Sequence, residues 1–410
     1  MLPEIVILIC GFLVGFYMAW NIGANDVANS MASAVGAKAI TLRQAIVIAG
    51  ILNILGAAFI GSHVTDTIRK GIVSTEVMSD PDIALMGAFS ALLSASLWVS
   101  FATWRSLPVS TTHSIVGSMV GFGIAMGGFS VIHWPVLGAV VLSWVISPVF
   151  SLVIGYLVFK LILWVVLSRT NPFDIALKRA PWFIGLAVFI IAMSFLFKTP
   201  LGKTLAMSTP TAALVSLVIA GLVGYGGRRV ISYKLDEKDR LSLGAEAIFR
   251  RIQIGTSCYV ALAQGANDVA NAIGPLAVIY FLAKSGTIGA QVPVPFFLLV
   301  FGGIGIAFGI SMSGARVIRT VGSRITTLSN TRGFSVDFSA ATTVLVASKL
   351  GLPVSTTHAA VGGVMGVGLA RGFEAVNFSI ILKIMLYWVL TVPVAAFTCM
   401  GIFAFLRWVL

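Results

Sequence analysis

Long apolar runs recur along the whole of this 410-residue chain, and they constrain its fold more than any other feature. A run of about 20 apolar residues can cross the ~30 Å hydrocarbon core of a bilayer as a helix. Only 10% of the residues are charged, against about 25% in a soluble domain, so the chain cannot cover a water-facing surface. The runs do not alternate apolar and polar residues, which excludes a transmembrane β-barrel. We therefore predict an all-α membrane protein.

The runs predict about twelve transmembrane segments, some of them broken or re-entrant because they are short. The predicted segments are 3–20, 40–62, 83–104, 108–128, 134–168, 181–198, 205–226, 252–282, 292–312, 334–350, 354–370 and 376–407.

The basic residues predict the orientation of these segments. Cytoplasmic loops of membrane proteins are enriched in Lys and Arg. With the N-terminus outside, most of the 27 Lys and Arg fall in inside loops, including those of the basic stretch 228–251. We therefore expect both termini to lie outside. The same bias explains the net charge of +13 without nucleic-acid binding.

Two heptapeptides each occur twice in the chain. GANDVAN stands at 23–29 and 265–271, and LPVSTTH stands at 107–113 and 352–358. Order and spacing are both kept, with offsets of 242 and 245 residues, which indicates an internal duplication. A weaker similarity pairs GAAF at 56–59 with GIAF at 305–308.

The duplication predicts two repeats of inverted topology, because one GANDVAN segment starts outside and its twin starts inside. Such repeats are common in secondary transporters, whose binding sites lie near the middle of the membrane. The predicted organisation is a first repeat at 1–128, linking transmembrane segments at 129–227, a short cytoplasmic basic loop at 228–251, and a second repeat with the C-terminal segment at 252–410.

GANDVAN places an acid and two amides inside an apolar segment. A carboxylate at membrane depth costs about 2.5–3.5 kcal/mol on insertion scales, so it needs a partner or a wet cavity. We expect the glycine that begins each motif to let the helix unwind and expose carbonyl groups. Such an all-oxygen set suits a small hard cation; the alternative is simple hydrogen bonding between helices. The candidate cation ligands are Asn25, Asp26, Asn29, Asn267, Asp268 and Asn271, with Asp337 as a further candidate.

LPVSTTH predicts a helix that begins with a cluster of hydroxyl groups, because Pro108 and Pro353 fit the first turn of a helix. Free backbone N–H groups and the helix dipole join the hydroxyls there, and together they can bind an oxyanion. The alternative is ordinary N-capping. His113 and His358, which follow the clusters, are expected to be structural or to sense protonation. The candidate anion ligands are Ser110, Thr111, Thr112, Ser355, Thr356 and Thr357.

Both repeated motifs, with TLRQA at 41–45 and TIRKG at 67–71, resemble the inorganic phosphate transporter (PiT) family, which includes sodium–phosphate symporters. The resemblance implies uptake of inorganic phosphate coupled to a cation, with no organic cofactor, in a homodimer. It also implies that Asn25, Asp26, Asn267 and Asp268 join the six hydroxyl residues in binding phosphate. The short central stretch suggests a prokaryotic protein of the cell inner membrane.

Some questions stay open at this point. The family also includes proton-coupled members and carriers of sulfate, so the resemblance fixes neither the coupling ion nor the anion. Sodium is favoured because the sequence offers no further chain of buried acids and bases. An anion channel would show similar motifs. An enzyme is not expected, since the chain has no H-E-x-x-H or G-x-S-x-G motif.

Overall fold

The computed structural model describes residues 3–61, 80–198, 205, 207–235, 237–286, 294–349 and 354–409, and within these ranges it is almost entirely helical. The TIRKG motif at 67–71 and the first two residues of the second LPVSTTH motif lie outside the described residues. The α-helices of the described chain are α1 (Glu4–Gly36), α2 (Leu42–Ile60), α3 (Pro81–Trp104), α4 (Thr111–Gly127), α5 (Trp134–Ile162), α6 (Pro172–Lys198), α7 (Thr209–Lys234), α8 (Glu237–Leu243), α9 (Ala245–Ser285), α10 (Phe296–Arg319), α11 (Asn330–Lys349), α12 (Thr356–Leu369) and α13 (Phe378–Val409).

Ten helices of the described chain are long and apolar enough to cross a membrane, so the protein is a multi-pass membrane protein. The predicted segments 334–350 and 354–370 correspond to α11 and α12, which are not among the ten. Helix α12 has 14 residues, or about 21 Å at 1.5 Å per residue. It is therefore too short to cross the hydrocarbon core alone.

Helices α4 and α12 begin inside the protein rather than at its surface. The chain leaves α3 at Trp104 and is not helical again until Thr111, yet Val109 and Ser110 are buried. Ser355, which precedes α12, is buried as well. Non-helical backbone at membrane depth is tolerated where protein surrounds it, and here it places the start of each short helix in the interior.

Helices α1 and α9 run unbroken through the GANDVAN motifs, so the expected unwinding at Gly23 and Gly265 is wrong. The predicted first segment also ends too early, because α1 continues from the apolar stretch to Gly36. The glycines instead allow close helix contact. A Cβ at Gly23 would lie 1.8 Å from the carbonyl oxygen of Ile306, and one at Gly265 would lie 2.3 Å from that of Asn53.

These contacts repeat between the two halves. A Cβ at Gly309 would lie 1.8 Å from the carbonyl oxygen of Trp20, and one at Gly56 would lie 2.1 Å from that of Leu262. Thus α1 packs on α10 in the same way that α9 packs on α2. In these contacts Gly56 corresponds to Gly309 and not to Gly305. The alignment of GAAF with GIAF in the sequence is therefore shifted by four residues.

Helices α1 and α9 also pack on each other, in opposite directions. Cβ atoms added at Gly11 and Gly15 would contact Ile279 and Leu276 at 2.7 and 2.8 Å. The contact position moves backward along α9 as it moves forward along α1. The two helices that carry the same motif are therefore antiparallel.

A second set of helix contacts is also repeated between the two halves. A Cβ at Gly117 in α4 would lie 2.8 Å from the carbonyl oxygen of Val392 in α13. The matching Gly362 in α12 faces the carbonyl oxygen of Pro148 in α5 at 2.3 Å. Helix α5 therefore holds α12 as α13 holds α4.

Helices α6 and α7 form a pair beside this core, and the charged stretch 228–251 begins in the last turns of α7. It was predicted as a loop, but it is largely helical, since it comprises the end of α7, the short α8 and the start of α9. An ion pair of 2.8 Å between Arg251 and Asp239 joins α8 to α9. Arg250 donates a hydrogen bond of 2.9 Å to the carbonyl oxygen of Ala39, which fixes the start of α9 beside the end of α1.

The contact between α1 and α10 predicts that Gly309→Ala destabilises the protein, because the new methyl group would meet the backbone of Trp20. Overpacking of this kind costs about 1–3 kcal/mol. Gly255→Ala is the control, since a Cβ there has open space and Ala favours a helix by about 1 kcal/mol over Gly. Thermal unfolding in detergent should show a lower midpoint for the first variant only; equal midpoints would contradict the packing.

Candidate functional site

The two GANDVAN motifs meet at the hydroxyl group of Thr111, the first residue of α4. This hydroxyl donates a hydrogen bond of 2.7 Å to Oδ2 of Asp26 and accepts one of 3.2 Å from Nδ2 of Asn271. Asp26 and Asp268 are each only 1% exposed. The motifs therefore form one buried polar centre, as the duplication predicted.

The last Asn of each motif reaches the threonines at the start of the other half's short helix. Asn29 Nδ2 donates bonds of 3.2 and 3.0 Å, and Asn271 Nδ2 donates bonds of 3.2 and 3.1 Å. The acceptors are the hydroxyl groups of Thr356 and Thr357 for Asn29, and of Thr111 and Thr112 for Asn271.

Asp26 is approached by both hydroxyl clusters. Besides Thr111, the hydroxyl of Thr357 points to Oδ1 of Asp26 at 3.4 Å and to the carbonyl oxygen of Val109 at 3.2 Å. In the second motif, Asn267 donates a hydrogen bond of 2.9 Å to Oδ1 of Asp268. Side chains predicted as ligands for a hard cation, among them Asp26, Asn29 and Asn271, thus lie together between the starts of α4 and α12.

Ser110 and Ser355 act as N-caps. Each accepts a hydrogen bond of 3.2 Å from the backbone N–H three residues later, at His113 and His358. The capping interpretation is therefore right for the serines. The threonines that follow them carry the contacts to the motifs.

Asn25 and Asn267 are equivalent in sequence but differ in environment. Asn25 is fully buried; its Nδ2 donates to the carbonyl oxygen of Leu107 and the hydroxyl of Thr103, and its Oδ1 accepts from the N–H of Val109. Both ends of this amide hold the non-helical stretch before α4. Asn267 is partly exposed and lines a cavity.

Asp337, in α11, lies in a separate polar cluster. Its carboxylate accepts hydrogen bonds from Ser33 at 2.5 Å, Ser257 at 2.6 Å and Thr256 at 3.1 Å. The residue is buried. Sequence reasoning named Asp337 but missed its three hydroxyl partners, because isolated Ser and Thr on different helices form no motif.

His113 and His358 lie face to edge with ring centroids 4.7 Å apart. His113 packs on Trp144 at 4.0 Å, and His358 packs on Trp388 at 3.7 Å. His358 Nδ1 is also 3.1 Å from the carbonyl oxygen of Trp144. The histidines therefore join the two short helices to α5 and α13 and stand behind the hydroxyl clusters.

A cavity lies beside the polar centre. Asn29 and Asn267 bring polar groups from both motifs to it, and α9 and α11 supply most of the rest of its wall. Its described lining contains no charged side chain. The residues are Asn29, Ser194, Tyr259, Val260, Ala263, Gln264, Asn267, Ala340, Ala341, Val344 and Thr356.

The buried centre can hold a cation with carboxylate and amide oxygens and an oxyanion with hydroxyl groups and helix N-termini. It lies between helices that cross a membrane, and a cavity leads to it. Fold and site together define a membrane transport protein for small ions.

Comparison with known proteins gives the family. The sequence model of the phosphate transporter family matches residues 22–399, and the chain belongs to that family. A relative from Pyrococcus horikoshii, described by name as a phosphate permease, is 49% identical over 400 residues, which cover 96% of each chain. The chloroplastic inorganic phosphate transporter 2-1 of Arabidopsis thaliana is 41% identical over 94% of this chain and 69% of its own.

A solved structure of a sodium-dependent phosphate transporter is similar across the whole fold. It has a TM-score of 0.87 and 47% sequence identity, and the match covers 99% of this chain and 100% of that one. The family resemblance inferred from the motifs is confirmed. So is the expectation of a transporter rather than an enzyme.

The different environments of the two equivalent amides predict different losses of stability. Asn25→Ala leaves the buried Val109 N–H and the partly buried Leu107 carbonyl without this partner, at a cost of about 1–3 kcal/mol for a buried group. Among the residues that the structure describes, Asn267→Ala removes one hydrogen bond, to the neighbouring Asp268, at a partly exposed position. Thermal unfolding in detergent should show the larger decrease for Asn25→Ala; the reverse order would contradict the assigned roles.

Proposed function

We propose that this protein is a secondary active transporter that imports inorganic phosphate by symport with a cation, most simply sodium. The observation that carries this proposal is that the threonine clusters of both halves contact Asp26 or the asparagines of the motifs. Groups suited to the anion and groups suited to the cation share one centre. The family match and the sodium-dependent structural relative support the choice of both ions.

Coupling follows from the charges. A phosphate anion near the ionised carboxylates of Asp26 and Asp268 would be repelled by about 4 kcal/mol per charge pair at 4 Å and an effective dielectric constant of 20. The described cavity lining offers no Lys or Arg to offset this repulsion. Bound cations supply the missing positive charge, so cations and phosphate must bind together.

The phosphate would lie at the starts of α4 and α12. The first turns of these helices offer backbone N–H groups and the positive ends of their dipoles. The hydroxyl groups of Thr111, Thr112, Thr356 and Thr357 can turn to donate to phosphate oxygens when the ions enter. Sodium would take the oxygen atoms of Asp26, Asp268 and the motif asparagines.

We further propose that Asp337 holds a second sodium ion. Its carboxylate and three hydroxyl neighbours are buried oxygen ligands from α1, α9 and α11. The site lies on two of the helices that carry the phosphate centre, so its occupancy can stabilise their arrangement.

The two halves are proposed to be inverted repeats that alternate access between the two sides. The antiparallel packing of α1 and α9 and the exchanged contacts of α2, α5, α10 and α13 support this relation. We propose from these contacts that the first repeat includes α5 and extends to about residue 162. We also propose an inner-membrane location with both termini outside, and a homodimer, from the basic-residue bias and the family resemblance.

Phosphate uptake by proteoliposomes tests the function. Uptake of radiolabelled phosphate should follow an inward sodium gradient and should resist excess sulfate. A proton gradient alone should drive little uptake. Uptake driven only by protons would show that the coupling ion is the proton and not sodium. Full competition by sulfate would contradict the assignment of phosphate as the transported anion.

Asp26→Asn should lower sodium-driven phosphate uptake at least tenfold. The change keeps the shape of the side chain but removes a charge that a cation needs in a low-dielectric site. Asp174→Asn is the control, because Asp174 is half exposed and lies on α6 away from the centre. Equal uptake by both variants would exclude Asp26 from coupling.

Asp337→Asn should change the sodium dependence of uptake and leave the affinity for phosphate nearly unchanged. The sodium concentration for half-maximal uptake should rise about tenfold, since the site loses its one carboxylate, while the KM for phosphate at saturating sodium should change less than twofold. Uptake measured over a sodium series checks this. An unchanged sodium dependence would remove Asp337 from the cation sites.

A further inference from the structure

Consecutive carbonyl groups before α4 are held by three different helices. That of Leu107 accepts a hydrogen bond of 3.0 Å from α1, and that of Val109 lies 3.2 Å from a hydroxyl group of α12. Between them, the carbonyl oxygen of Pro108 accepts a bond of 3.1 Å from Nε1 of Trp388 in α13. Because α4 begins at Thr111, Trp388 helps to set where the first turn of α4 lies.

Trp388 is stacked on His358, the third residue of α12. Their ring centroids are 3.7 Å apart and their planes are inclined by 24°. Both side chains are buried. The first turn of α12 is therefore connected, through Trp388, to the backbone before α4.

A proline in α5 provides a second anchor for His358. Pro148 has no backbone N–H group, so the carbonyl oxygen of Trp144, four residues earlier, cannot receive the usual bond of an α-helix from it. Nδ1 of His358 lies 3.1 Å from this oxygen. Since a carbonyl oxygen can only accept, Nδ1 carries the hydrogen, and the bond fixes the orientation of the ring.

The other histidine of the pair lacks this anchor. In α13 the residue that matches Pro148 is Val392, because the two contact equivalent glycines of α12 and α4. Val392 has a backbone N–H group that can bond within the helix to the carbonyl oxygen four residues earlier. The ring nitrogens of His113 have no hydrogen-bond partner among the described residues. His358 is therefore the histidine whose ring is fixed.

We propose that His358 and Trp388 are positioning residues for the anion, which together hold the starts of α4 and α12 at the separation that phosphate requires. The connection runs from α5 through His358 and Trp388 to Pro108. Neither side chain needs to touch phosphate, because both act on the helix starts that present the threonines and N–H groups. This inference rests on the proposed function and adds residues behind the site to those that face it.

The separation matters because both helix starts must bind one small anion. Groups that bind a ligand have to be held to within about 0.5 Å of the productive geometry. A helix start without its support would have to be ordered when phosphate binds, and that ordering costs binding free energy. The loss of support therefore appears as a higher Kd for phosphate.

Equilibrium binding of radiolabelled phosphate to the purified protein at saturating sodium tests the connection. Trp388→Phe keeps an aromatic ring beside His358 but removes the N–H group that binds the Pro108 carbonyl. Loss of one hydrogen bond should raise the Kd for phosphate about fivefold. Trp98→Phe is the matched control, because Nε1 of Trp98 donates a buried bond of 2.9 Å to Thr391 of α13 and not to the backbone before a short helix.

Thermal unfolding in detergent separates positioning from a general loss of stability. Trp388→Phe and Trp98→Phe each lose one buried hydrogen bond, so their unfolding midpoints should fall by similar amounts. The Kd for phosphate should rise for Trp388→Phe only.

A second variant changes the anchor without weakening the helix. Pro148→Ala supplies an N–H group that competes with His358 for the Trp144 carbonyl. Ala is much more favourable than Pro inside a helix, so the unfolding midpoint should not fall, while the Kd for phosphate should rise about threefold. Pro393→Ala in α13 is the control, because the carbonyl four residues earlier belongs to the exposed Val389, and its Kd should stay unchanged.

Three results would overturn the proposal. Equal Kd values for Trp388→Phe and Trp98→Phe would exclude Trp388 from positioning. An unchanged Kd for Pro148→Ala would exclude the anchor of His358. No sodium-dependent phosphate binding by the unchanged protein would contradict the proposed function, and this inference with it. The unchanged protein thus distinguishes a failure of the function from a failure of the positioning residues.

Discussion

The rest of the structure depends on the exchange of hydrogen bonds between the two halves. Asn29 binds the threonines of α12, and Asn271 binds those of α4. Neither half can build the centre alone, because each supplies the amide for the other's hydroxyl cluster. The same exchange recurs in the backbone contacts of α1 with α10 and of α9 with α2, where glycines bring the helices close. A relative movement of the halves therefore alters the centre itself.

In the proposed mechanism, burial makes this centre selective for a combination of ions. Two carboxylates with hydroxyl and amide neighbours stand between helix N-termini, and the described cavity beside them is lined by neutral side chains. A cation alone lacks the anion that the helix starts favour, and an anion alone meets the carboxylates. In a low dielectric either imbalance costs more than in water, which links occupancy by one ion to occupancy by the other.

The sequence predicted the membrane class, the duplicated motifs and most residues of the centre, because repeated polar residues in apolar segments need a reason to persist. It did not predict that α1 and α9 stay helical through the motifs, since a glycine that permits unwinding also permits close packing. It could not separate Asn25 from Asn267, whose motifs are identical. Nor could it find Ser33, Thr256 and Ser257 around Asp337, because helix packing alone brings them together.

Equilibrium binding of radiolabelled phosphate to the purified protein, over a range of sodium concentrations with choline as the replacing cation, tests the coupling most directly. The account predicts that the Kd for phosphate falls at least tenfold as sodium rises from absence to saturation, and that phosphate tightens sodium binding by the same factor. Phosphate binding of equal affinity with and without sodium would contradict it, since the carboxylates of Asp26 and Asp268 would then not need a cation to admit the anion.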